Sequence, residues 1–360
     1  MAFLIFFVAL SIMIFAHELG HFLMAKKQGV KVEEFGFGYP PRLWGKKVGE
    51  TIYSINLIPM GGFVRIWGME EKVKKEKKRA FYTQTGKSQF LILVAGVAMN
   101  FLLAVLVFSL VYGITGVPKK IGKVKIIEII ADSPADKAGV KGDLFVVGIC
   151  RGNFNDCLNN KAIKIKRSKD FIKIVKKWAG KEIVLVSEDG RRFSVIPRKN
   201  PPVGEGALGV IITDSKLVKP PFWQRIPLGI WYGFKDGVFW GVEIVRGVGQ
   251  MIGGIFRGKI PTDVVGPVGV YVASSDIYRE NGLLAAIHFF AVVSVNLVVV
   301  NLLPFPGADG WHTGILVIEK IRRRELEEKT KRKLNQAGMV FILFLSFLII
   351  AADIKRFILK

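Results

Sequence analysis

The sequence predicts a polytopic α-helical membrane protein with about four transmembrane helices, a membrane-associated β-hairpin and one inserted α+β domain. Of its 360 residues, 51% are hydrophobic, yet the formal net charge is +24. The apolar residues form a few long runs and the Lys and Arg residues lie between them, which separates lipid-facing from water-facing segments. A soluble globular protein rarely combines this charge with a mean hydropathy of +0.36, so the soluble classes are excluded.

The strongly basic balance favours a lipid surface over nucleic acid as the partner. The pI is about 10.0, and the cationic residues concentrate in segments that flank the apolar runs. Juxtamembrane Lys and Arg residues are attracted to anionic lipid head groups. We therefore expect a bilayer with anionic head groups as a partner, and no nucleic acid; the composition does not indicate an oligomeric state.

The first predicted transmembrane helix covers residues 1–25. Its apolar run begins at the second residue and resumes as FLMA after a polar cluster, a length that spans the hydrocarbon core at about 1.5 Å per residue. The run has no basic region before it and no small-residue cleavage site, and it contains His17, Glu18 and His21. These features favour a retained helix over a signal peptide.

Three further apolar runs predict transmembrane helices at residues 90–115, 284–310 and 337–352. Residues 311–336, between the third and fourth helices, include the cationic sequence KIRRRELEEKTKRK, which predicts a solvated helix. The four runs together account for the polytopic fold.

The remaining segments differ in composition. Residues 26–89 form a polar loop whose centre, residues 51–68, alternates apolar and polar residues around a Gly-Gly pair as a β-hairpin does. Residues 117–199 contain strand-like pieces separated by Gly and Pro, which predicts a small α+β domain. Residues 220–258 interleave Trp and Phe with Lys, Arg and Gly, a pattern typical of a helix in the membrane interface.

The distribution of Lys and Arg predicts the orientation. The segments after the first and third predicted helices are both strongly basic and flank transmembrane ends, so both should be cytoplasmic. Parity then places residues 117–199, the amphipathic segment and both termini outside. We therefore expect a multi-pass protein of the cytoplasmic (inner) membrane.

The two cysteines, Cys150 and Cys157, are too few for a disulfide framework. In an oxidising compartment they can close a short loop, and elsewhere they can remain as two core thiols. The sequence leaves both interpretations open.

Residues 17–21 form an H-E-x-x-H sequence near the end of the first predicted helix. Positions i and i+4 lie on one helix face, so the imidazoles of His17 and His21 can bind one Zn²⁺ while Glu18 reaches a water beside it. Ionisable groups in an apolar helix are costly, which favours a functional role over a chance polar cluster.

A catalytic zinc site needs a third protein ligand and one open position. The sequence offers Asp309 at the end of the third predicted helix. Pro304 and Pro306 end that helix, and Gly307 and Gly310 permit tight turns that can direct the carboxylate back towards the bundle. By the predicted topology, Asp309 lies at the same membrane face as the histidines. The sequence thus predicts a zinc site at the cytoplasmic side.

With H-E-x-x-H in the first helix and N-x-x-P-x-x-x-x-D-G at residues 301–310, the chain resembles the site-2 protease family of intramembrane zinc metalloproteases, peptidase family M50, over nearly its whole length. Residues 96–100 (GVAMN) are similar to the G-x-x-x-N element of this family. The segment 51–68 is similar to the β-structured loop that follows the first helix in its bacterial members.

Residues 133–143 (SPADKAGVKGD) are similar to the S-P-A-x-x-A-G-x-x-x-G-D core of a circularly permuted bacterial PDZ domain. Residues 265–269 (VGPVG) are similar to a G-P-x-G segment ahead of the third helix. Together these motifs resemble the PDZ-containing subgroup of the regulator of sigma-E protease, which implies regulated intramembrane proteolysis of an anti-sigma factor or a remnant signal peptide. The PDZ domain would either bind a pre-cut substrate end or exclude intact ectodomains.

The resemblance implies a metalloendopeptidase in which His17, His21 and Asp309 hold Zn²⁺. Glu18 would take a proton from a zinc-activated water and pass it to the leaving amine. Asn301, as the family asparagine, would contact substrate.

Three further positions are weaker predictions of substrate contact. Asn100 is either a contact to the substrate backbone or oxyanion or a helix-packing residue. Tyr53 and Ile55, in the hairpin, would pair with an extended substrate whose helix has been unwound.

The chain departs from the family pattern at Trp311, where a small glycine commonly follows Asp-Gly, and this change can alter helix packing or substrate access. His312 lies nearby, but its place on the following helical turn favours a packing or supporting role over metal ligation. Two other classes remain as alternatives. The chain is either an inactive membrane scaffold or chaperone, which the retained Glu18 disfavours, or an ion-coupled transporter, which predicts internal repeats that the sequence lacks.

Overall fold

The computed structural model describes residues 1–69, 77–152, 157, 162–202, 205–255, 257, 266–324 and 326–357. The chain forms two compact units, one made of residues 1–114 and 223–360 and the other of residues 115–222. The predicted motif residue Val265 and the predicted end of the amphipathic segment at residue 258 lie outside the described residues.

The helices and strands are numbered in chain order. They are α1 (Ala2–Lys27), β1 (Val32–Val48), β2 (Thr51–Ile66), α2 (Gly86–Thr115), β3 (Val117–Ile129), α3 (Pro134–Lys137), β4 (Phe145–Arg151), β5 (Ile163–Lys164), α4 (Ser168–Lys177), β6 (Ile183–Ser187), β7 (Arg192–Val195), β8 (Val210–Val218), α5 (Phe222–Ile255), α6 (Pro267–Leu302), α7 (Asp309–Arg322) and α8 (Glu328–Phe357). Two short 3₁₀ helices, Lys77–Arg79 and Phe81–Thr83, precede α2.

Among the described residues, three helices are long and apolar enough to cross a membrane: α1, α2 and α6. The first two match the predicted helices within a few residues. The third begins well before the predicted residue 284, because a helical segment from Pro267 precedes a break at Gly282, whose φ of 80° is a left-handed conformation that favours glycine. It ends at Leu302 rather than at residue 310, since Pro304 cannot continue the helix. The predicted fourth span, residues 337–352, lies within α8 and stays a prediction.

The strands β1 and β2 fold into a sheet of four segments, with residues 62–66, 32–39, 51–58 and 42–48 side by side in that order. The alternating pattern predicted a hairpin at residues 51–68, but it did not show that β1 contributes two of the four segments. Tyr53 pairs with both Phe35 and Lys46, and Ile55 pairs on both sides in the same way. The two predicted substrate-pairing residues therefore lie on an interior segment, and the outer segments are residues 62–66 and 42–48.

Buried polar groups fix the shape of this sheet. Glu34, only 3% exposed, accepts a hydrogen bond from the Ser54 hydroxyl at 2.7 Å and forms an ion pair with Arg42 at 2.6 Å. At the turn between the strands, hydrogen bonds from Arg79 and Lys26 lower the pKa of Glu50 to about 2. The second of these contacts ties the sheet to the end of α1.

The sheet lies directly against the middle of α1. Gly61 and Gly62 approach Ile14 and Phe15 so closely that a side chain at either glycine would collide with its neighbours. The Ser11 hydroxyl donates a hydrogen bond to the Pro59 carbonyl at 3.2 Å. Because Ser11 lies well inside an apolar helix, this contact supports the predicted association of the hairpin with the membrane.

Helix α5 packs lengthwise along α2 in the opposite direction. A side chain at Gly233 would lie 2.5 Å from Ser109 Oγ, and one at Gly237 would lie 3.0 Å from the Phe101 ring. Glycines recur every fourth residue from 229 to 241, a pattern that permits close helix packing in membranes and that the amphipathic interpretation overlooked.

A polar contact reinforces the packing of α5 on its neighbours. The Tyr112 hydroxyl of α2 donates a hydrogen bond to Asp236 of α5. His288 Nε2 of α6 lies 3.8 Å from the same carboxylate. The interfacial position predicted for residues 220–258 stays a prediction beside these packing contacts.

The second unit is built on a six-stranded antiparallel sheet in the order β7-β6-β4-β3-β8, with β5 beside β4. The predicted domain ended at residue 199, but the unit extends to Phe222 because β8 pairs with β3. The motif at residues 133–143 forms α3, where Ser133 caps the helix by accepting a hydrogen bond from the Asp136 N–H. Cys150 and Cys157 form a disulfide, which decides between the two alternatives left open by the sequence.

Candidate metal centre

His17 and His21 lie one turn apart on the same face of α1, as the H-E-x-x-H spacing predicts. Their Nε2 atoms are 3.1 Å apart, and their rings meet edge to face with centroids 4.7 Å apart. The side chains are 12% and 6% exposed. Two imidazoles thus point their Nε2 atoms at one buried position.

Asp309 reaches the same position from the start of α7. The chain leaves α6 at Leu302, turns through Gly307 at a φ of 91°, and enters α7 at Asp309. Gly310 packs against the end of α6 so tightly that a side chain there would lie 2.3 Å from the Leu303 carbonyl oxygen. These turns place Asp309 Oδ2 at 3.0 Å from His17 Nε2 and 3.2 Å from His21 Nε2.

The spacing of these three atoms fits a zinc ion. Zinc–ligand distances of about 2.0–2.1 Å separate the ligands of a tetrahedral site by about 3.3 Å. The observed separations of 3.0, 3.1 and 3.2 Å are close to this value. Asp309 Oδ2 is buried and has no hydrogen-bond partner among the described residues, as expected of a metal-binding oxygen. A zinc ion held by these three groups would keep one position open for water or substrate.

Helix α2 holds the histidines from behind. His21 Nδ1 donates a hydrogen bond to the Ile92 carbonyl at 2.8 Å, and because a carbonyl only accepts, this contact leaves Nε2 with a free lone pair. A side chain at Gly96 would lie 2.3 Å from His21 Nε2. A side chain at Gly20 would lie equally close to the Ala95 carbonyl oxygen. Glycines at these two positions allow α1 and α2 to approach closely enough to build the site.

Glu18 is held by the sheet. Its Oε2 accepts a hydrogen bond from the Val64 backbone N–H at 3.1 Å. Val64 lies on the edge segment 62–66, whose other side pairs with β1, so this N–H points away from the sheet towards α1. A backbone donor has no residue-type signal, and the sequence therefore could not reveal it.

The comparisons with known proteins identify the family. The profile of Peptidase family M50 matches residues 5–345. The chain belongs to peptidase family M50. It is therefore a zinc metalloprotease, and the membrane-embedded nature of M50 proteins agrees with its apolar helices.

Relatives of this M50 protein cover its whole length. It is 31% identical, over 96% of both chains, to a Clostridium perfringens protein whose name marks it as a candidate zinc metalloprotease. It is 29% identical, over 98% of both chains, to a similarly named protein of Rickettsia conorii. It is also 24% identical, over 98% of both chains, to the zinc metalloprotease RasP of Geobacillus kaustophilus.

The other predicted residues of this M50 protein lie on α2, α6 and α7. Asn100, 1% exposed on α2, lies against His17, with its Nδ2 3.4 Å from His17 Nδ1. Asn301 is in the last turn of α6, and Trp311 and His312 follow Asp309 in the first turn of α7. The cluster of metal-binding groups among the described residues comprises His17, His21 and Asp309, without His312.

Proposed function

We propose that this M50 protease hydrolyses a peptide bond within or next to a transmembrane segment of a membrane-tethered regulatory protein, such as an anti-sigma factor, or of a remnant signal peptide. His17, His21 and Asp309 would hold the zinc, and Glu18 would be the proton carrier. The observation that carries this assignment is the convergence of three ligand atoms from α1 and α7 at separations of 3.0–3.2 Å, with Glu18 on the turn between the two histidines.

The chemistry follows from the positions of these groups. A zinc ion held there would act as a Lewis acid and lower the pKa of a water bound beside Glu18. The Glu18 carboxylate takes the proton of the attacking water and delivers it to the amine of the leaving peptide. The hydrogen bond from the Val64 N–H holds Glu18 Oε2 beside the sheet segment 62–66. Proton transfer by Glu18 would therefore take place next to an extended substrate bound along that segment.

The substrate must be extended before it is cut, because a helical peptide bond is shielded by its own hydrogen bonds. Of the two outer segments of the four-segment sheet, residues 62–66 are next to Glu18, and two segments separate them from residues 42–48. We infer that the substrate adds as a strand along residues 62–66. Tyr53 and Ile55 would not pair with this strand, since their backbone groups face paired segments on both sides and residues 62–66 and 32–39 lie between them and that edge.

A cross-linking experiment distinguishes the two edges. Arg65→Cys places a thiol on the edge next to Glu18, and Lys47→Cys places one on the far edge. We expect a substrate with a single cysteine near its cleavage position to form a disulfide with the first variant at least about tenfold faster than with the second, because only that edge lies beside the bound strand. Equal cross-linking, or faster cross-linking to Lys47→Cys, would refute the assignment of the substrate to residues 62–66.

An apolar cavity of about 390 Å³ opens between α1, α2 and α6. It extends to Met13, one helical turn before His17, and its wall includes Leu103 and Phe290. A cavity of this kind suits the apolar side chains of a membrane-embedded substrate. It supports a cleavage position within or near the hydrocarbon region.

The second unit would be a PDZ domain outside the cytoplasmic membrane, with the metal centre towards the cytoplasm. The disulfide between Cys150 and Cys157 supports this orientation, because disulfides persist in oxidising compartments. Both substrate capture and exclusion of intact ectodomains fit such a domain. If its removal permits cleavage of an untrimmed substrate, exclusion is the better description.

The disulfide provides a test of the orientation. In intact cells whose thiols are blocked before lysis, we expect neither cysteine to react until a reductant is added, which mass spectrometry of the peptides that contain Cys150 and Cys157 will show. Complete alkylation of both thiols without reductant would remove the support for an external domain.

Cleavage of a model transmembrane substrate in detergent tests the function itself. We expect a strong chelator to abolish cleavage and stoichiometric zinc to restore it, because without the metal the attacking water would lack the Lewis acid that lowers its pKa. Asp309→Asn replaces the anionic carboxylate ligand by a neutral amide, so this variant is expected to need more zinc to reach the same rate. Cleavage that persists without metal contradicts the protease mechanism, and metal-independent binding of helices without cleavage supports a scaffold.

A further inference from the structure

Helix α2 contacts the Nδ1 atoms of the two histidines through different groups. His21 Nδ1 donates to a backbone carbonyl, that of Ile92. His17 Nδ1 faces the side-chain amide of Asn100, with the amide nitrogen 3.4 Å away. The amide oxygen of Asn100 is buried and has no hydrogen-bond partner among the described residues. This leaves a polar atom unsatisfied beside the metal centre, where its desolvation is costly.

The ring nitrogen of His17 that carries the hydrogen determines whether Asn100 must donate or accept a hydrogen bond. His17 Nε2 lies 3.0 Å from Asp309 Oδ2 and 3.1 Å from His21 Nε2, so a metal held there takes the Nε2 lone pair. A neutral imidazole then has its hydrogen on Nδ1. An N–H group facing the amide NH₂ would be donor against donor. A half turn of the amide, which leaves its shape unchanged, presents the oxygen instead.

We propose that Asn100 is a positioning residue for the metal centre, with its amide oxygen accepting a hydrogen bond from His17 Nδ1. This inference rests on the proposed role of His17 as a zinc ligand. The hydrogen bond fixes the tautomer and the ring plane of His17, as the Ile92 carbonyl does for His21. This role differs from both roles that the sequence left open, substrate contact and helix packing, and it leaves the NH₂ group as a spare donor.

Asn100 is well placed for this task because three helices meet there. It is 1% exposed on α2, its amide contacts α1, and its backbone carbonyl accepts a hydrogen bond from the Ser294 hydroxyl of α6 at 2.9 Å. Helix α6 leads directly to the turn that presents Asp309. A displacement of Asn100 would therefore affect both His17 and the third ligand.

Zinc affinity measured by competition with a chelator tests this inference without reference to activity. We expect Asn100→Leu, which removes the acceptor at similar volume, to weaken zinc binding by about 10–100-fold. Asn100→Asp retains an acceptor for His17 Nδ1 and is expected to bind zinc at least as tightly as the wild type. Ser294→Ala is the matched control, because it removes a neighbouring hydrogen bond of Asn100 but leaves the amide in place, and its zinc affinity should stay within about twofold.

The outcomes separate this inference from the proposed function. Zinc affinity of Asn100→Leu equal to that of the wild type overturns the positioning role, as does an Asn100→Asp variant that binds as weakly as Asn100→Leu. If Asn100→Leu does not fold, Asn100→Ala replaces it, and the visible spectrum of the cobalt-loaded proteins reports the ligand geometry. A wild type that binds no zinc contradicts the proposed function itself and the inference with it.

Discussion

Replacing Glu18 with Gln is expected to lower the rate of peptide cleavage by about 10²–10⁴-fold, the usual contribution of a positioned acid or base. Gln has the same length, and its amide oxygen can still accept the hydrogen bond from the Val64 N–H that holds Oε2 at 3.1 Å. It cannot carry a proton between water and the leaving amine. The variant should therefore keep the geometry of the site and lose the chemistry.

The measurement is the cleavage rate of a model transmembrane substrate together with the zinc content of the same preparation. Zinc content should match that of the wild type, since Glu18 is not one of the three converging groups. Glu33→Gln is a suitable control because it makes the same chemical change on β1. A Glu18→Gln variant that cleaves at the rate of Glu33→Gln would show that another group carries the proton.

Replacing Gly96 with Ala is expected to remove most of the zinc and with it the activity. The added carbon would lie 2.3 Å from His21 Nε2 and 2.8 Å from His17 Cε1, so both imidazoles must leave the positions in which they converge with Asp309. Alanine is the better helix former by about 1 kcal/mol, so α2 itself should not be weakened. We expect zinc affinity to fall by at least about tenfold, the lower end of the 10–100-fold range that is typical when the groups supporting the ligands are changed.

Gly113→Ala provides the control for this experiment. Gly113 lies on the same helix, but nothing comes within 4 Å of the position that its side chain would occupy. The Gly113 variant should bind zinc and cleave substrate as the wild type does. If Gly96→Ala behaves in the same way, the close approach of α2 to the histidines is not needed for the site.

The metal centre was largely predictable because its residues follow local rules. The spacing of His17 and His21 depends only on the helical period, and the prolines before Asp309 end α6 wherever the bundle places it. Three groups from two distant parts of the sequence are therefore assigned to one site, and the structure brings their ligand atoms within 3.2 Å of one another.

The surroundings of the centre were less predictable because they depend on tertiary packing. Alternation along residues 51–68 indicates a strand but not its partners, so the interior position of Tyr53 and Ile55 could not be foreseen. Val64 acts through its backbone N–H, which every residue except proline has. For Asn100, the residue type allowed a substrate contact or a packing role, and only the position of His17 points to a third role, the support of a metal ligand.

The boundaries that were wrong have similar causes. Residues 267–281 are helical but polar enough to be missed in a search for apolar runs, and Gly282 then breaks the helix. Strand β8, beyond the predicted end of the inserted domain, is recognised through its pairing with β3. Its sequence alone, VIITDSKLV, gives no indication of that partner.

X-ray absorption at the zinc edge of the purified wild type tests the central claim most directly. The account predicts one zinc per chain with two imidazole nitrogens and oxygen ligands at about 2.0–2.1 Å, without sulfur. In the Asp309→Ala variant, the two imidazole nitrogens should remain and the zinc should be held more weakly. A wild type with no zinc, with a sulfur ligand, or with a spectrum that the loss of Asp309 does not change would contradict the assignment of His17, His21 and Asp309.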